Sequence, residues 1–241
     1  QWWGDAVIVL GEMFYTCDTA SYGLIRKCIS NLVEWQKPDG VLFSPIPGKW
    51  HYELPLQMLA SIGRYGFWRY YMYTGDKAMI EYVYPYVKRY LDLWEMNEKG
   101  LVVHRTGGWD WGDWGINKDR PLMDNAWYAM ALESAINMAE LTGNKEDAWD
   151  WETRLESIKA NFDPAFWQKG FYRSPGYDGE TDDRGHGLAV VAGISGPDHW
   201  PQIREVLGRE FHASPYTEKY VLESFFIRSE ERRVGKECAT G

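Results

Sequence analysis

The chain is punctuated at long, similar intervals by the same few residues. Thr74-Gly75-Asp76, Thr142-Gly143-Asn144 and Gly196-Pro197-Asp198 each separate two stretches of helical periodicity, and a comparable stop falls near Cys17-Asp18. A glycine just past a helix takes the left-handed conformation that closes it, and the Asp or Asn that follows caps the next helix. The three glycines stand 68 and 53 residues apart, enough for two helices and their connections. This spacing predicts a repeat of αα-hairpins.

Periodicity supplies the helices. From Lys77 onward, Ile80, Val83, Tyr84, Val87, Leu91 and Trp94 mark one buried stripe, with Pro85 predicted to kink or split it. Pro121 to Leu141 opens on a proline and carries Ala126, Ala131, Ala135 and Ala139, small side chains that allow close helix approach. Further helices are predicted over 5–17, 20–36, 54–74, 145–161, 185–194, 198–210 and 215–227. The fold class that follows is all-α: an (α/α)6 toroid, six inner helices ringed by six outer ones, here incomplete at about nine of twelve helices. A helical solenoid is the structural alternative. The connections 37–53, 99–120 and 162–184 are longer than a compact domain tolerates without a use for them.

Bulk properties narrow the function. A net charge of -9 and a pI near 5.1 oppose a nucleic-acid partner, whose phosphates would be repelled. Mean hydropathy is -0.48 and no apolar run approaches the length of a membrane span. Cys17, Cys28 and Cys238 have neither metal-ligand spacing nor a disulfide framework, and the first two read as small core residues. Nothing in the pattern calls for a cofactor or a metal. Aromatic residues, by contrast, make up 16% of the chain, and several of the 14 Trp lie beside Gly and Asp rather than in apolar runs. Flat rings beside carboxylates suit sugars, whose C–H faces stack while their hydroxyls need acceptors; large helical domains also bury Trp routinely.

Two constellations carry this chemistry. Gln1-Trp2-Trp3-Gly4-Asp5 places two indoles and a carboxylate at a helix entry, where Asp5 either caps the helix or accepts sugar hydroxyls while Trp2 stacks. Gly107-Gly108-Trp109-Asp110-Trp111-Gly112-Asp113-Trp114-Gly115 cannot be a helix; it is a ligand loop or a structural cluster of turns. Glu53 and His51, before the helix at 54, are rim candidates or solvated loop residues. His186, at a helix start, is a ligand contact or a capping or core group.

Read together, these motifs resemble the six-hairpin glycosidase domain of the bacterial α-L-rhamnosidases (glycoside hydrolase family 78-like). Trp2-Trp3-Gly4-Asp5 matches the family's Trp-x-Gly-Asp, and Gly112-Asp113-Trp114 matches its Gly-Asp-Trp segment. Asp124-Asn125, Asp183-Arg184-Gly185-His186-Gly187-Leu188-Ala189 and Ser214-Pro215-Tyr216 fall in the family's order across residues 1–227. The resemblance implies an inverting hydrolase that releases terminal α-L-rhamnose from glycans or glycosides, with a carbohydrate substrate and no cofactor. It implies a substrate wall of Trp2, Asp5, Trp109, Asp110, Trp111, Asp113 and Trp114, with Glu53 and His186 beside it. The family's general acid is a Glu seven residues before Asp5, which places it ahead of Gln1, and its general base lies beyond Ile227. The resemblance therefore predicts a domain truncated at both ends over residues 1–227. Another six-hairpin glycosidase, or a non-catalytic toroid that binds glycans or protein, shares most of these features. Residues 228–241 are expected to be a non-native tail, because Arg228-Ser229-Glu230-Glu231-Arg232-Arg233-Val234-Gly235-Lys236-Glu237-Cys238 is the in-frame translation of a common sequencing adapter.

Overall fold

Helices alternate between two burial patterns, and that alternation defines the architecture. The computed structural model describes residues 1–238, with side chains through Ser229. Ten α-helices lie among the described residues: α1 (Trp3–Thr16), α2 (Tyr22–Glu34), α3 (Pro55–Ile62), α4 (Phe67–Thr74), α5 (Lys77–Leu91), α6 (Arg120–Thr142), α7 (Lys145–Phe166), α8 (Asp183–Val191), α9 (Trp200–Leu207) and α10 (Pro215–Cys238). Every residue of α3 and α8 is buried, as is most of α6. In α7, by comparison, only Ala148, Trp151, Leu155, Ile158, Phe162 and Phe166 are buried, a single stripe at helical spacing. A helix buried all round belongs inside; α1 and α10, each buried along one stripe, are placed by their packing instead.

The packing order agrees. α1 packs on α3, α3 on α6, α6 on α8 and α8 on α10, while α10 also touches α1. These form the inner ring. The striped helices α2, α5, α7 and α9 lie outside it, α5 and α7 against α6 and α9 against α8. The arrangement is the expected ring of hairpins, and it brings the connections that precede inner helices to one end.

Four sequence expectations are corrected in detail. The helix predicted over 54–74 is broken into α3 and α4 at Gly63–Gly66. A Cβ on Gly63 would sit 3.2 Å from the Cα of Ala131 on α6, and one on Gly66 would overlap the Ser61 carbonyl oxygen, so glycine is needed at both ends of the break. Pro85 does not split α5, which runs unbroken from Lys77 to Leu91 with the proline on its solvent face. The connection predicted from residue 162 is shorter: α7 runs to Phe166, and a hairpin follows, β1 (Trp167–Gln168) against β2 (Phe171–Tyr172), turning through Lys169 and Gly170, both at positive φ. Cys17 is exposed where α1 ends and is not a core residue, whereas Cys28 is half-buried and packs against the core. The composition change expected at Arg228 falls inside α10, and the side chains beyond Ser229 lie outside those described.

Aromatic contacts fasten the inner ring at its axis. Trp127 of α6 meets Tyr220 of α10 edge-on at 4.9 Å and Tyr65, in the break between α3 and α4, at 6.2 Å. Replacing the buried Trp127 with alanine is expected to cost about 3–5 kcal/mol through lost burial and the cavity left behind. The matching change at Trp149, which is 68% exposed on α7, should stay within about 0.5 kcal/mol. Urea unfolding of the two variants checks the contrast.

Candidate functional site

The ends of four inner helices bring a band of aromatic rings together. Trp2, in extended backbone just before α1, lies parallel to Tyr52 with ring centroids 6.4 Å apart and meets Trp50 at 6.5 Å. Trp109 stands edge-on to both Trp2 (6.0 Å) and Tyr52 (5.9 Å). The band continues from Trp109 to Trp114 at 6.4 Å, from Trp114 to Trp111 at 6.1 Å, and from Trp111 to Tyr216 of α10 at 5.0 Å. Trp109 and Trp114 remain 39% and 63% exposed, whereas Trp111 is buried. Exposed indoles on a fixed frame form a platform for a ligand with an apolar face.

The frame is polar and buried. Gly107 has φ +63, and a Cβ there would lie 2.8 Å from Pro55, so only glycine fits the turn. The next two amides, of Gly108 and Trp109, both donate to the Glu53 carbonyl at 3.1 Å. Glu53 is itself buried, its carboxylate held by Nε (2.6 Å) and Nη2 (3.0 Å) of Arg105 and by the Tyr90 hydroxyl (3.2 Å). At the other end of the loop, Asp113 accepts hydrogen bonds from the Ser214 amide (2.9 Å) and from the hydroxyls of Ser214 and Thr217. Arg184 of α8, wholly buried, donates to the carbonyls of Trp114 (3.1 Å), Ile116 (2.8 Å) and Asn117 (2.9 Å), and approaches Asp113 at 3.5 Å.

The structure thus sorts the residues singled out in the sequence. Trp2, Trp109, Trp111 and Trp114 come together in one band. Asp110, between Trp109 and Trp111 in the sequence, is exposed and meets Arg120 and His104. Asp5 sits exposed in the first turn of α1 without capping it, and its charge reaches Tyr216, whose hydroxyl is pushed up mainly by burial and further by Asp113 and Asp5. Glu53 and Asp113 are buried, and their carboxylates are engaged by protein partners. His51 stacks on Phe43 at 4.3 Å.

Of the readings open for His186, the structure shows the core group. It is fully buried, accepts the Tyr172 amide on Nε2 at 2.8 Å and turns Nδ1 to the Asp182 carbonyl at 2.7 Å, so both nitrogens of a neutral ring are in use. Trp50 and Tyr52 carried no motif of their own, although they share a Pro-Gly-rich loop with Glu53, and Tyr216 stood out only within Ser214-Pro215-Tyr216. The described residues hold no group of three His, Cys, Asp or Glu able to bind a metal, and no helix among them is long and apolar enough to cross a membrane.

An all-α ring of hairpins with an aromatic platform at one end is the architecture of a six-hairpin glycosidase. The chain belongs to the bacterial alpha-L-rhamnosidase 6 hairpin glycosidase domain family, which it matches over residues 1–189. It is 23% identical over 176 residues to an alpha-L-rhamnosidase of Formosa agariphila, covering 70% of this chain and 19% of that protein. The chain spans about a fifth of the length of the curated relatives it matches. In fold it is similar to a GH78 family rhamnosidase of Bacillus sp. GL1, with a TM-score of 0.80 and 17% identity over 98% of this chain and 27% of that one. It is similar also to a rhamnosidase from Klebsiella oxytoca with rhamnose bound, with a TM-score of 0.78 and 19% identity over 98% of this chain and 48% of the other.

Two predictions follow from the buried frame. Asp113→Ala strands the Ser214 and Thr217 hydroxyls and removes the more distant of the two carboxylates beside Arg184, whose closer partner is Asp182 at 2.7 Å. It should cost about 3 kcal/mol or more in urea unfolding, while Trp114→Ala should cost no more than about 0.5 kcal/mol. Burial pushes the His186 imidazole down to about 4. The unfolded chain takes up this proton near the ordinary value and the folded chain only near 4. Stability should therefore fall by roughly 3 kcal/mol as pH drops from about 6.5 to about 4, then level off. His186→Gln should flatten that slope; an unchanged slope assigns it to other groups.

Proposed function

We propose that the chain is the sugar-binding part of an inverting glycoside hydrolase domain that releases terminal α-L-rhamnose from glycans or glycosides. The observation that carries this reading is the pair of exposed indoles, Trp109 and Trp114, held by a buried frame beside the part-exposed carboxylate of Asp110. Deoxyhexose rings have an apolar face to lay on indole and hydroxyls to donate to carboxylate. Family membership supports the same substrate class, as does the rhamnose bound in the Klebsiella oxytoca protein of like fold.

Inversion needs one protonated carboxyl to protonate the leaving oxygen and one carboxylate to activate water, about 6.5–9.5 Å apart across the ring. On this reading both come from segments outside residues 1–227, and residues within them bind and orient the sugar. Trp2, Trp109 and Trp114 supply the stacking faces, with Asp5 and Asp110 as acceptors; Trp111 supports them from beneath.

The whole protein carrying this domain should hydrolyse an aryl α-L-rhamnoside and release β-L-rhamnose first, read by proton NMR of the anomeric signals. Trp109→Ala should raise KM about five- to tenfold, the loss expected for one stacking contact. Turnover of a different aryl glycoside with none of the rhamnoside would sink the proposal.

A further inference from the structure

Four ionisable side chains form a row that leads from the exposed loop into the start of α6. Arg120 Nη2 donates to Asp110 Oδ1. The other oxygen of that carboxylate, Oδ2, lies 3.4 Å from His104 Nε2. On the far side of the imidazole, Nδ1 is hydrogen-bonded to Oδ2 of Asp124. Exposure falls along the row: the Asp110 side chain is 38% exposed, His104 28% and Asp124 0%. The row therefore runs from the solvent edge of the aromatic platform to the base of the inner ring.

Its charges decide its state. With both carboxylates ionised, the two of them and one guanidinium sum to one negative charge, and a proton on His104 makes the row neutral. A half-buried set of groups favours that neutrality. The hydrogen bond to Asp124 holds the imidazole above its ordinary value, aided by the charges of Asp124 and Asp110 and opposed by burial and by Arg120. The neighbouring charges are Lys118, which feels both Asp110 and Arg120, and the Glu53–Arg105 pair with Glu95, which line a recess on the other side of His104. Glu53 and Arg105 are spent on each other.

We infer that His104 is a positioning residue for the sugar site: in its protonated form it holds the Asp110 carboxylate in the orientation that accepts sugar hydroxyls, so that affinity is lost as pH rises. The inference rests on the sugar-binding reading proposed above. With both nitrogens protonated, Nδ1–H donates to Asp124 and Nε2–H faces Asp110. Removal of the proton leaves a lone pair on Nε2 opposite a carboxylate oxygen, and that oxygen turns away from it. Arg120 then holds Asp110 by one oxygen alone. Because His104 titrates above its ordinary value, the effect is fully present below about pH 6.5 and is lost as pH rises through that higher value.

Two measurements on the full chain test this. The first needs no sugar: the imidazole titration of His104 is followed by NMR in the wild type and in Asp110→Asn and Asp124→Asn. Both variants should titrate at clearly lower pH than the wild type. A His104 titration that Asp110→Asn leaves unmoved overturns the pairing. The second measures L-rhamnose binding by tryptophan fluorescence from pH 6 to 9. Wild-type affinity should fall about tenfold across the His104 titration, the scale of one charge-assisted hydrogen bond. His104→Gln, whose amide donates at every pH, should bind with a flat profile. A wild-type affinity that stays level while His104 titrates overturns the positioning role. Absence of rhamnose binding at every pH overturns the sugar site itself, and the imidazole titration tells that failure apart from a failure of the pairing.

Discussion

A buried carboxylate, that of Asp113, joins three inner helices to the loop that faces solvent. It reaches Ser214 and Thr217 at the entry to α10 and lies beside Arg184 of α8, while its own backbone belongs to the connection into α6. A wholly buried anion is unfavourable unless its oxygens are met by donors, and here those donors come from across the ring. The position of the loop is thus tied to the closure of the helices around it. Arg184 extends the same logic by donating to the backbone carbonyls of Trp114, Ile116 and Asn117.

The aromatic platform is the counterpart of this frame. Its rings come from residues before α1, before α3, before α6 and at the start of α10, and each touches the next edge-on or in parallel. No one of those segments has a core of its own to hold an indole toward solvent. The frame does so by fixing the backbone on either side of the exposed residues, through Glu53 at one end of the loop and Asp113 at the other.

Much of this was legible in the sequence, because it depends on local pattern. Gly75 and Gly143 do end helices in the left-handed conformation, and Asp76 does cap α5 by accepting the Met79 amide at 3.1 Å. The Trp-rich loop stood out through its glycines. What could not be read was the side of the backbone on which each carboxylate would fall. Asp110 and Asp113 occupy similar surroundings in the sequence, three residues apart between tryptophans, yet one is exposed and the other is 1% exposed. The difference is made by Ser214 and Thr217, about a hundred residues away. His104 left no signal, since its partner Asp124 is brought to it only by the packing of the loop against α6.

The dual use of the loop has a consequence for how such a site can diversify. Between Gly107 and Gly115, residues that present rings to solvent alternate with residues that lock hairpins together. A loop transplanted from a relative would carry the former without the partners of the latter, because Glu53, Arg184, Ser214 and Thr217 reside in other hairpins. Specificity in this architecture is therefore inherited in blocks: single substitutions at Trp109, Asp110 or Trp114 can be explored one at a time, whereas any change in loop length must be matched on three neighbouring helices at once.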